Sequence, residues 1–165
     1  MRRGILASRD ELRTLRERVG DRPFDRIFDV LQKRCSLILD SGPVTEQQWR
    51  LLWHQGRWGS ATVAARTAQG RILDLTIADH IDPNGAYRSR AIEELRSLAH
   101  WSTWTDPCHN GLSADLCTAE AAVAAAIGLD WLWEDLTERD RVSALAALRS
   151  KAIQPYVDAV REKAW

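Results

Sequence analysis

The chain has 165 residues, 45% hydrophobic and 28% charged, with Lys+Arg and Asp+Glu balanced at 23 each. That length suits one domain whose core needs no disulfide or metal support. The balanced charge lacks the basic surplus or basic block of a nucleic-acid binder. The most apolar stretch, 114–133, carries Asp115, Glu120 and Asp130, which marks it as a core helix and not a membrane span.

Capping signals and a 3.6-residue apolar period predict helix almost throughout. Ser8 and Glu11 have the spacing of a capping box, and Leu12, Leu15 and Val19 follow before Gly20 ends the segment. Pro23 suits a first helical turn, and Phe24, Ile27, Phe28, Leu31, Cys35, Ile38 and Leu39 form the next stripe, which stops at Asp40–Pro43. Thr45 with Gln48 predicts a second capping box ahead of a short helix carrying Trp49, Leu52 and Trp53. After a turn at Gly56–Gly59, Ser60 caps a helix running through Val63, Thr67, Ile72, Leu75 and Ile77 to about His80.

Asp82-Pro83-Asn84-Gly85 is a strong turn signal, and from Ala86 a helix carries Tyr87, Ala91, Ile92, Leu95, Leu98 and Ala99. Between Trp101 and Leu116 the period disappears into a polar, aromatic loop, the kind of segment in which function concentrates. Thr118 to Glu134 is Ala-rich and helical. Thr137 caps the next helix with Asp140 three residues on, and Val142, Leu145, Ala146 and Leu148 line its apolar side. Pro155 breaks the pattern before a last short amphipathic turn with Tyr156, Val157 and Val160. The expected fold class is all-α, built of antiparallel helical hairpins in a single domain over 1–165.

Several of these segments form an ordered set that resembles the heparinase II/III-like, alginate-lyase-type polysaccharide lyases. Tyr87-Arg88-Ser89-Arg90-Ala91-Ile92-Glu93-Glu94-Leu95 is similar to that family's Y-x-x-R-A-x-x-E-L helix, and Asp115-Leu116-Cys117-Thr118-Ala119-Glu120 to its D-L-x-T-A-E segment. Ile127-Gly128-Leu129-Asp130-Trp131-Leu132 resembles I-G-Y-D-W-L with Leu129 where Tyr is commoner, and Leu136-Thr137-Glu138-Arg139-Asp140-Arg141 resembles L-T-x-E-E-R. The resemblance implies the N-terminal part of a larger (α/α) toroid whose parent cleaves uronate-containing glycans by β-elimination, a family often secreted or periplasmic. The catalytic Asn, His and Tyr that it implies, the Asn in an N-N-W-N-like motif, are expected beyond Trp165. No catalytic residue is therefore assigned within the chain, which alone is expected to be inactive.

Substrate-binding candidates come from the loop and from the tryptophans. Eight Trp stand against two Phe and two Tyr, and indole faces serve both as core filling and as platforms for the C–H faces of sugars. Trp101 and Trp104, with His109 and Asn110 beside them, and Trp58 between glycines, are the residues expected to line a sugar cleft. The same loop residues also suit a surface loop closed by side-chain-to-backbone bonds. Asp115 and Glu120 sit where a helix dipole favours carboxylates, which explains them without acid–base chemistry. Asp130 reads as a buried carboxylate bonded to a neighbouring helix, and Tyr87 and Tyr156 as core phenols.

Cys35, Cys108 and Cys117 are too few for a disulfide framework, and a Cys108–Cys117 pair is left open against free thiols. Cys108, His109 and Cys117 lack the paired spacing and fourth ligand of a zinc site, so no metal and no cofactor is expected. The basic N-terminus has no apolar stretch behind it, so no signal peptide is expected and the compartment is left unassigned. The expected partner is an acidic polysaccharide for the parent, with neither nucleic acid nor membrane, and with self-association through exposed helix faces. The alternative is a stand-alone helical module that binds carbohydrate or protein.

Overall fold

The computed structural model describes residues 6–52, 62–109 and 111–162, and they form an all-α array. The helices are α1 (Arg9–Arg18), α2 (Phe24–Leu39), α3 (Glu46–Leu52), α4 (Thr62–Ile81), α5 (Gly85–His100), α6 (Leu116–Trp131), α7 (Glu138–Leu148) and α8 (Gln154–Glu162). No helix among the described residues is long and apolar enough to cross a membrane.

Local chemistry sets most of the helix starts. In α1 the Ser8 hydroxyl accepts from the Glu11 amide at 3.2 Å, and Glu11 accepts from the Ser8 amide at 2.7 Å. Thr45 and Gln48 do the same for α3, and Thr137 and Asp140 for α7. Each box satisfies two amides that a helix start leaves without intrahelical acceptors.

The centre of the molecule is a pair of parallel helices. Cys117 meets Thr62 at the amino ends of α6 and α4, and Arg66 pairs with Glu120 at 2.7 Å one turn on. The His80 ring lies 5.6 Å from that of Trp131 at the carboxyl ends. Small residues make this close approach feasible: Ala64, Ala65 and Ala68 on α4 and Ala121, Ala124 and Ala125 on α6 are all buried. The tight turn after Ile81 sends α5 back antiparallel to α4, anchored where Arg88 reaches Asp79 at 3.0 Å. Gly128 faces Leu95 of α5 so closely that an added Cβ would stand 3.1 Å from a leucine methyl.

α2 lies on α4 through Cys35 and Ile38, and α5 secures the chain beyond it. Arg90 donates to the carbonyls of Ile38 (3.1 Å) and Ser41, satisfying the end of α2. Glu94, wholly buried, accepts from the Val44 amide at 2.9 Å and from Arg71 at 3.0 Å. Burial pushes the Glu94 carboxyl above the usual carboxylate range.

Two elements depart from expectation. α6 ends at Trp131, because Leu132 leaves helical geometry and a run of turns leads to Thr137. Pro155 does not stop the last segment. A π-helical turn, Arg149–Ile153, joins α7 to α8, with the Gln154 amide reaching back five residues to the Arg149 carbonyl. The wider turn takes up the clash and the missing donor that proline brings to a regular helix.

Candidate functional site

The long α5–α6 connection lies at the end of the array where α4 and α6 begin, and the side chains of Asp106, His109, Asp115 and Thr118 organise it. Asp115 is the N-cap of α6: its Oδ1 accepts the Thr118 amide at 2.9 Å, and Thr118 Oγ1 lies 3.2 Å from both the Asp115 amide and that carboxylate oxygen. Its other oxygen, Oδ2, accepts the Asp106 amide at 2.9 Å and meets His109 Nδ1 at 2.7 Å. Asp106, itself buried, accepts the Cys108 amide at 2.9 Å, and its carbonyl takes the His109 amide. Gly111, with φ of 86°, turns the chain back towards the helix in the left-handed region where a side chain is strained.

The result is an imidazole oriented by a carboxylate. The side chain of Asp115 is 2% exposed and that of His109 18%, so the ring sits at the rim and the acid beneath it. In the tautomer in which Nδ1–H donates to Asp115, the ring lone pair is carried by Nε2. In that tautomer Nε2 accepts from a ligand hydroxyl in a fixed direction, and only a doubly protonated ring donates to a carboxylate.

The indoles of the same loop have another role. Trp104 is fully buried, and its Nε1–H donates to the Leu98 carbonyl at 3.0 Å. Trp101 is 2% exposed and stacks on Trp49 of α3, with centroids 5.1 Å apart. Lys151, from the π-helical turn, closes the assembly by donating to the carbonyls of Ala99 (2.7 Å) and Trp101. Stacking on a sugar needs an open ring face, and in this arrangement Trp101 and Trp104 spend theirs on the core. Trp58 and Asn110, the other two binding candidates, lie outside the described residues.

The remaining sequence candidates separate in space. Glu120 pairs with Arg66 and is no partner of Asp115. Tyr87 is buried as expected, whereas Tyr156 is 56% exposed because its face of α8 points outward. Asp130 is half-buried at the far end of α6. None of the three cysteines is in a disulfide: Cys35 and Cys117 are buried and Cys108 is exposed. Burial pushes the Cys117 thiol up to about 11, and it faces Thr62, so Cys108, His109 and Cys117 do not converge on one point.

His109 stands out in the sequence as a loop candidate, whereas Asp106 and the second bond of Asp115 do not. The available signal was an aspartate at a helix start six residues after a histidine, with a glycine between them to turn the chain. The chain matches no protein-family model and no curated protein.

Proposed function

We propose that the chain is the N-terminal helical part of a polysaccharide lyase resembling the heparinase II/III-like enzymes, and that it contributes glycan recognition to β-elimination on uronate-containing polymers. The observation that carries the reading is the His109 imidazole, aligned by Asp115 at the rim of the loop opening onto the start of α6. In that reaction a base removes the proton α to the uronate carboxylate and the C4 glycosidic oxygen leaves, so groups that locate the carboxylate and hydroxyls govern the geometry. His109 is assigned to that locating role, with Asp115 as its positioning residue. The ordered motifs described above support the family reading. Exposed apolar side chains such as Ile27, Val30 and Leu37 on α2 support burial against further helices or a second copy.

Two measurements test this. Formation of the unsaturated C4–C5 product is followed by its ultraviolet absorbance on alginate, heparan sulfate, chondroitin and hyaluronan. The assay uses this chain alone and a version carrying whatever coding sequence is contiguous with it. Binding of the corresponding oligosaccharides to the chain alone is followed by chemical-shift titration, with His109→Ala expected to weaken it by about fivefold, one lost hydrogen bond. Elimination by the longer version only, with binding sensitive to His109, supports the proposal. Absence of both sinks it.

A second reading, a helical interaction module, is favoured by one feature. Val142, Leu145, Ile153, Tyr156 and Val160 stay 39–56% exposed along α7, the π-helical turn and α8. Protein capture without glycan binding would select that reading.

A further inference from the structure

A concave feature lies at the end of the α-helical array opposite the His109 loop. A cleft of about 380 Å³ opens between α1 and the carboxyl ends of α4 and α6, within the size range of small-ligand sites. We propose that this cleft binds a neutral sugar unit, stacked against an indole wall and hydrogen-bonded by charged side chains of both signs. The inference is independent of the lyase reading.

The wall is aromatic. Trp131 and Trp133 are half-buried and line the cleft, and each packs against a neighbouring side chain. The His80 ring packs on Trp131 at 5.6 Å, and the Arg141 guanidinium lies 5.0 Å from the Trp133 ring centre. Pre-oriented indoles reduce the ordering cost of binding a flat, partly apolar ligand. The Trp131 Nε1–H is buried and has no acceptor among the described residues. Burial holds His80 below the usual histidine range, so near neutrality it lends the wall a ring and not a charge.

The rim decides the ligand class. Arg13 and Arg16 stand on the α1 side, with Arg16 Nε donating to the His80 carbonyl at 3.0 Å. Asp130, Glu134 and Asp135 stand on the α6 side, with Asp135 paired to Arg88 at 3.1 Å. A uronate brought here meets three carboxylates beside the two guanidiniums, and an ammonium meets two guanidiniums beside the three carboxylates, so each carries a repulsive contact. A neutral polyol avoids both penalties, since its hydroxyls donate to carboxylates and accept from guanidiniums.

The placement keeps this site apart from the loop of His109. The two lie at opposite ends of α6, whose 16 residues span roughly 24 Å at the helical rise. A glycan contact at His109 and a neutral sugar in the cleft are therefore separate events.

The test is a titration of the isotope-labelled chain with methyl glycosides of glucose, galactose, mannose, rhamnose and xylose, and with sodium glucuronate and galacturonate. The Trp131 indole N–H resonance, assigned by its loss in Trp131→Phe, is the reporter. At least one neutral glycoside is expected to move it saturably, with the uronates roughly tenfold or more weaker. Glu134→Gln, with its thermal stability measured beside that of the wild type, should weaken the neutral glycoside by about threefold, a lost charged acceptor. Silence of the Trp131 signal with every neutral glycoside, or uronates binding as tightly as neutral sugars, overturns the proposal. Either result leaves the His109 reading standing, because that one is read with oligouronates and the His109 variant.

Discussion

At the scale of single residues, Trp101 and Trp104 show how alike two indoles look in sequence and how differently they are used. Trp104 gives its Nε1–H to the Leu98 carbonyl, whereas the Nε1–H of Trp101 is buried with no acceptor among the described residues. Replacing either by Phe removes comparable volume, but only the change at Trp104 also breaks a buried hydrogen bond. Trp104→Phe should therefore cost about 1 kcal/mol more than Trp101→Phe, read from the midpoints and slopes of urea unfolding. Equal losses would mean that the Leu98 bond contributes nothing net. The burial of both rings was not legible beforehand, because their neighbours Ser102, Thr103, Thr105 and Asp106 are polar and show no period. What buries them comes from far along the chain: Trp49 from α3 and Lys151 from the π-helical turn. His109 was legible as a loop candidate, but its alignment depends on Asp115, whose obvious local use as a helix cap concealed the second bond.

At the scale of elements, the starts of helices were the most legible features because capping is local. The boxes at Ser8, Thr45 and Thr137 and the cap at Asn84 involve side chains within three residues of the amides they serve. Asp115 is a cap with additional duties, holding the Thr118 and Asp106 amides and the His109 ring together. Asp115→Ala should destabilise by about 2–4 kcal/mol, against roughly 1 kcal/mol for Ser8→Ala, whose cap is solvent-exposed. The accompanying sign is faster hydrogen exchange of the Asp106 amide in Asp115→Ala; unchanged exchange there would sever the link between cap and loop. Gly128 poses a contest between helix preference and packing. Alanine would gain about 1 kcal/mol of helix propensity, but its Cβ would press on Leu95, which is 1% exposed and has little room to turn. Packing wins in that comparison, so Gly128→Ala should lower the unfolding midpoint. Pro155 was misleading as a stop signal, since a π-helical turn lets a helix pass a proline when both flanking segments have faces to bury, here at Ala147, Ala152 and Ala159.

At the scale of the whole molecule, the all-α class followed from periodicity, while the parallel seam of α4 and α6 did not. Both helices show little one-sided patterning because each is covered on several sides, and only the distance between partners such as Arg66 and Glu120 reveals the pairing. The balance of buried charges across that array sets how stability responds to pH. Burial raises the Glu94 carboxyl, so the native state holds that proton more tightly than the unfolded chain. Its contribution is complete below the ordinary glutamate value and declines as pH rises through the native one. Asp140 works in the opposite sense. The Arg96 guanidinium, at 2.7 and 2.8 Å, together with Thr137, holds its carboxyl far below the usual range. Its contribution is therefore present above the ordinary aspartate value of about 4 and is lost as pH falls towards the native one. His80, lowered by burial, likewise adds stability as pH climbs to the ordinary histidine value of about 6.5. These slopes oppose one another between acid and neutrality, so the wild-type profile should be shallow. Glu94→Gln resembles the protonated acid in shape, so its stability relative to wild type should improve steadily as pH rises, by at most about 1.4 kcal/mol per unit for one proton. Asp140→Asn should be less stable than wild type by about 1 kcal/mol at neutrality, because Arg96 is half exposed, and the difference should fade in acid. Chemical denaturation of the three proteins across the acid-to-neutral range separates the two effects. If the gap between Glu94→Gln and wild type stays flat with pH, Glu94 is not the group that opposes the acidic loss, and the flatness of the native profile has another source.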